Sequence, residues 1–267
     1  NKVVSVVVNS NNSKEVIECD DLILALGHSA RDTFSMLYEK KLPLKAKSFA
    51  VGVRVEHKQQ TINDSQYGKD SPYHLPAAAY KVTANLEDGR GVYSFCMCPG
   101  GTVVCASSQK GGVVTNGMSE YARDKENANS AILVGVEPAD FPTEHPLSGF
   151  QLQREIEEKA FQLGGGDYSA PATLVGDFLK GEKSAKLSFV NPSCPTGVTP
   201  SDIRQVLPKK VTDTMAEAIV MMDKKLNGFA LHDAVLTAPE TRSSSPVRIL
   251  RDINFESNIS GLYPCGE

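Results

Sequence analysis

Valine-rich and alternating runs dominate the first half of the chain, and helical stripes appear mainly in the second. Lys2 to Val8 predicts a strand, Asn9 to Lys14 a polar turn, and Glu15 to Glu18 a second short strand. Leu22 to Leu26 is continuously apolar and ends at Gly27, the pattern of a buried strand. Ser29 predicts the cap of a helix with Asp32 in its first turn; it carries Phe34, Leu37 and Tyr38 and stops before Pro43. From Phe49 the chain alternates. Phe49, Val51, Val53 and Val55 share one face, and Ala50, Gly52, Arg54 and Glu56 the other. Gly91 to Cys98 and Thr102 to Ala106 predict strands on either side of a turn at Pro99-Gly100-Gly101, and Ala131 to Val136 predicts another. Phe150 to Leu163 predicts a helix with Phe150, Ile156 and Phe161 toward the core, stopped by Gly164-Gly165-Gly166. Pro208 to Leu226 is the longest helical stretch. Its stripe is Val211, Met215, Ile219, Met222 and Leu226, a spacing that marks core packing, and Gly228 lies past its end.

This mixture predicts an α+β fold, with α/β character at the two ends of the chain. Breaks in character near Pro43 to Lys47 and near Thr237 to Glu240 divide it into 1–42, 43–237 and 238–267.

Composition narrows the function. Of the 267 residues 40% are hydrophobic, enough for a real core. The net charge of −4 gives no attraction for phosphate backbones, so nucleic acid is not an expected partner. No apolar run is long enough to span a membrane. The opening Asn1-Lys2-Val3-Val4 carries neither Met nor a signal-peptide pattern and is read as a cut. Six scattered cysteines, at 19, 96, 98, 105, 194 and 265, fit a reducing cytoplasm.

The first chemical observation is an absence. No Gly-x-Gly-x-x-Gly occurs, so the chain has no pyrophosphate-binding turn of its own, and the five histidines show no i, i+4 pair for zinc. Two glycine-ended runs, Leu22–Gly27 and Ser260–Gly266, lie at opposite ends of the chain. They read as strands whose ends let a backbone approach a ligand, with Glu267 placed to accept hydrogen bonds from ligand hydroxyls. They are expected to be neighbours in one small sheet. Arg242 and Arg248 flank the serines of Glu240–Arg248 and can hold an anion; a solvated loop is the bland alternative. Cys96 and Cys98, at i and i+2 of a strand, should share a face with Ser94. They are expected to be small packed thiols and not a metal pair. Asn116, and the run Asn127-Ala128-Asn129-Ser130, can read a ligand edge or simply build turns.

Taken together, Ala50-Val51-Gly52-Val53-Arg54-Val55-Glu56-His57, Gln66-Tyr67-Gly68, Tyr93 to Gly101, Thr115 to Ser119, Asn127 to Ser130, Glu240-Thr241-Arg242, Ser244 to Arg248 and Leu262 to Glu267 resemble the bacterial FAD-dependent dehydrogenases of unassigned substrate, the NAD(FAD)-utilising dehydrogenases. The resemblance implies a glycine-rich FAD-binding segment before Asn1 in intact members. It makes 1–42 and 238–267 remnants of the flavin domain and 43–237 an inserted substrate-side domain. It implies FAD in the intact parent but not bound to this fragment, with NAD(P)H as an electron partner. On this reading Gly27, Gly266, Glu267 and Arg242 face the cofactor, and Arg54, Glu56, Asn116 and Arg248 the substrate, a small molecule. The segment Asn191–Gly197 departs from the expected aromatic near 194, which argues against Cys194 as an essential nucleophile. The alternative function is a flavoprotein used as a binding or RNA-modification platform.

Overall fold

The computed structural model describes all residues except 11, 12, 70, 71, 188 and 267. In chain order the elements are β1 (Ser5–Ser10), β2 (Ser13–Glu18), β3 (Leu22–Leu24), α1 (Arg31–Glu39), β4 (Leu44–Ala46), β5 (Phe49–Lys58), α2 (Gln59–Tyr67), β6 (Thr83–Asn85), β7 (Gly91–Cys105), β8 (Thr115–Ser119), β9 (Asn127–Val136), α3 (Ser148–Gly164), β10 (Ala170–Leu174), α4 (Val175–Lys180), β11 (Val198–Pro200), α5 (Lys209–Asp223), β12 (Val235–Glu240), β13 (Val247–Ile249) and β14 (Leu262–Pro264). The fold is α+β. Two compact units emerge. The first comprises 1–49, 137–152 and 244–267, and the second 50–136 and 153–243. The segment 137–152 therefore groups with the two ends of the chain, a return that no break in composition announces.

The first unit is built from pairs of short strands. β1 and β2 form an antiparallel hairpin, β4 pairs with β13 antiparallel, and β3 pairs with β14 in parallel. Its core gathers Phe34 and Leu37 of α1, Leu42, Phe150, Val247, Ile249 and Leu262, with Leu22, Leu24 and Leu26 packed against it. The run at 22–26 is thus apolar on both faces but only half-buried on one, and Ile23 on the other remains 66% exposed. Ser29 does not cap α1; the N-cap is Ala30, without a side-chain hydrogen bond.

The second unit holds an eight-stranded sheet in the order β11-β10-β12-β5-β9-β7-β6, with β8 on β7. β5 is buried on both faces almost to its end, so its polar alternation does not mark a solvent side. α5 packs on β6, β7 and β9, and its stripe Val211, Met215, Ile219 and Met222 is buried, as its period predicts. Pro99-Gly100-Gly101 is not a hairpin turn. Gly91 to Cys105 is one strand in which two register shifts against β9 absorb the extra residues. The bulges place Cys96 at φ +41° and Gly100 at φ +47°. Cys96 ends exposed and Cys98 buried, so the shared face expected from i, i+2 spacing is lost. The Asn116-Gly117 pair, read as a turn signal, lies inside β8.

Candidate functional site

In the first unit the parallel pair β3 and β14 runs Leu22 beside Leu262, Ile23 beside Tyr263 and Leu24 beside Pro264. The Leu22 amide donates to Gly261 O at 2.7 Å, and the Cys265 amide to Leu24 O at 2.9 Å. The two glycine-ended runs are therefore neighbours in one sheet, as their sequences predict. Beyond the strands both chains turn at glycines in the left-handed region, Gly27 at φ +68° and Gly266 at φ +110°. No heavy atom lies within 4 Å of where a Cβ would stand at either residue, so the backbone there is open to an approaching group. Arg251, which the sequence did not single out, donates to Pro264 O at 2.6 Å and to Gly266 O at 3.2 Å. It fixes the second turn and places a cation at this edge. The carboxyl ends of parallel strands are where open α/β sheets bind cofactors. The open backbone at Gly27 and Gly266 fits the rim of a flavin site, whereas the sequence carries no turn to grip a pyrophosphate. Glu267 lies outside the described residues. Arg248, on β13, is exposed opposite Lys45.

In the second unit, Arg54 of β5 is fully buried, and each guanidinium nitrogen meets an acceptor. Nε pairs with Glu240 Oε2, Nη2 donates to Glu240 Oε1 at 3.1 Å and to Asn116 Oδ1 at 2.9 Å, and Nη1 donates to Cys96 O at 2.7 Å and Asn129 Oδ1 at 3.2 Å. Burial pushes the Glu240 carboxyl above the ordinary carboxylate range, and the Arg54 guanidinium opposes it. Arg54, Asn116 and Cys96 thus come together, as a cleft would require, but around a filled centre. A Cβ at Gly117 would run into Asn129 Oδ1 and the same guanidinium. Arg242 is likewise committed. It donates to both oxygens of the buried Glu157, at 3.0 and 2.9 Å, and to Ser108 Oγ at 2.5 Å.

Glu56, two residues along β5 from Arg54, has a different environment. Its Oε1 accepts from Asn127 Nδ2 at 3.0 Å, from the Ser193 amide at 3.1 Å and from Ser193 Oγ at 2.5 Å. Among the described residues no cation pairs with it, and burial raises its pKa above the ordinary value. Asn116 and the 127–130 run therefore serve two centres. Asn116 and Asn129 hold Arg54, and Asn127 holds Glu56. Nothing in the sequence tied Ser193 to Glu56, because the pairing spans 137 positions.

Residues 48–243 match the family model described as FAD-dependent protein, C-terminal domain-like. The whole chain is 50% identical over 269 residues to an uncharacterized protein of Clostridium beijerinckii (strain ATCC 51743 / NCIMB 8052). The chain spans about half the length of that curated relative, 50%. The match covers the entire eight-stranded sheet and ties it to flavoproteins. The chain belongs to the family of FAD-dependent proteins, by their C-terminal domain-like region.

Proposed function

We propose that this chain is part of an FAD-dependent oxidoreductase, a dehydrogenase of a small molecule. The first unit contributes the rim of the flavin site. FAD supplies the electron-transfer chemistry when bound, and the protein supplies position and electrostatics. Gly27 and Gly266 let the backbone come close to the cofactor, and Arg251 holds the second glycine turn in place. NAD(P)H is the proposed electron partner, and a reducing cytoplasm the proposed setting. The observation that carries this reading is the parallel pairing of β3 with β14, which brings two left-handed glycines from opposite ends of the chain to one sheet edge. Among the described residues no helix is long and apolar enough to cross a membrane.

The chain has no pyrophosphate-binding turn, and an incomplete site does not repay the cost of ordering a dinucleotide. Purified alone, it is expected to be colourless. The longer protein is expected to carry flavin and to lose it when Gly27 is replaced. A chain that purifies yellow by itself contradicts the division of the site; a longer protein that neither carries nor takes up flavin contradicts the function.

A further inference from the structure

A cavity of about 580 Å³ opens in the second unit between Thr102 and Val104 of β7, Met118 of β8, Asn127 of β9 and the loop around Ser193. Its size falls within the range of small-molecule sites. Two of its wall residues have hydrogen-bonding capacity the fold does not use. Asn127 is 2% exposed, and its amide nitrogen donates to Glu56 and to Asn191 O, which fixes the orientation of the side chain. The remaining atom, Oδ1, has no partner. Ser193 Oγ donates to Glu56 and accepts from the Val103 amide at 2.8 Å, which leaves one lone pair. Both idle atoms are acceptors, and the Glu56 carboxyl stands one hydrogen bond behind them.

The charges point the same way. Arg54 is taken by Glu240, and Lys58 and Lys125 are paired with Glu126 and Glu120 at the rim. With those pairs closed, Glu56 remains, among the described residues, a buried carboxyl at this wall without a cation. An anion would meet a buried carboxyl and acceptor oxygens, whereas a cation with N–H groups would meet its complement.

We propose that this cavity binds a compact organic amine in its ammonium form, with N–H groups donating to Asn127 Oδ1 and Ser193 Oγ and Glu56 as the counter-charge. The site lies wholly in the second unit and does not depend on the flavin reading. The probe is butylamine, titrated against the isotope-labelled chain while the side-chain amide signal of Asn127 is followed. The expected result is a saturable shift at neutral pH, absent with butanol and with butyrate. Glu56→Gln keeps the shape of the side chain, and Ser193→Ala removes only the hydroxyl. Each is expected to weaken binding roughly tenfold or more, the scale of one charge-assisted hydrogen bond, while thermal unfolding confirms that the variant is folded. A shift that does not saturate, an equal response to butyrate, or unchanged affinity in folded Glu56→Gln overturns the proposal.

Discussion

Glycines at two places in this molecule serve opposite ends. Gly117, in the second unit, is small because it is crowded, for Asn129 and the Arg54 guanidinium occupy the space a methyl group would need. At Gly27 and Gly266, in the first unit, nothing beyond the adjoining residues stands where a Cβ would be, and their positive φ serves a backbone turn at an open sheet edge. Crowding marks a finished core, where every guanidinium nitrogen of Arg54 is satisfied. Openness at the end of a parallel strand pair is what the proposed cofactor edge requires. Residues conspicuous in the sequence, Arg54 above all, belong to the first kind. The candidate cofactor edge is made of residues with almost no chemistry of their own.

The largest effects are expected on the crowded side. Arg54→Met leaves Glu240 buried without its cation and should cost about 3–5 kcal/mol in chemical denaturation, since a buried charge that loses its partner cannot be resolvated. A cost below about 1 kcal/mol would show the pair to be open to water and would remove the contrast.

His57, next along β5, adds a pH signature to the same core. It donates through Nε2 to Phe229 O at 2.8 Å, and burial lowers its pKa from 6.5 to about 4. The unfolded chain binds this proton from about pH 6.5 downward and the folded chain only near pH 4. Stability is therefore lost as pH falls through that window, by about 3 kcal/mol at its lower end. An imidazole NMR titration with a midpoint of about 4 supports this, and one near 6.5 refutes it.

Gly117→Ala should cost roughly 1–3 kcal/mol through overpacking. Gly27→Ala and Gly266→Ala meet no neighbour and should cost only the left-handed backbone, about 1–2 kcal/mol each. The sharper reading is flavin retention in the longer protein. The two edge substitutions should impair it, and Gly117→Ala should do so only as far as it unfolds the core. Glu56→Gln should change stability least, by less than about 1 kcal/mol, because it removes a buried charge that has no cation to lose.

Much of the fold was legible from periodicity. α5, α3 and the β1–β2 strand pair follow their patterns, and β5 is a strand as its alternation predicts although both of its faces are buried, because a stripe or an alternation is a local property of the chain. β7 was not, because Pro99-Gly100-Gly101 spells a turn and only pairing with β9 turns it into bulges. The alternation of Arg54 and Glu56 with valines predicts a polar strand face, but both residues are buried. Their fates diverged for nonlocal reasons, since Glu240 meets Arg54 across 186 positions and Ser193 meets Glu56 across 137. Arg251 carries no local signal, whereas Arg242 and Arg248 stand in a denser polar run. The structure commits Arg242 to Glu157 and leaves Arg251 on the carbonyls of the glycine edge.

The central claim is that the open glycine edge faces a flavin. Its most direct test is the visible absorbance of the purified longer protein, measured with and without Gly27→Ala and Gly266→Ala and referred to protein concentration. The account predicts stoichiometric flavin in the parent, a marked loss in both edge variants while they stay folded, and none in this chain alone. Full flavin retention in folded Gly27→Ala and Gly266→Ala would contradict it.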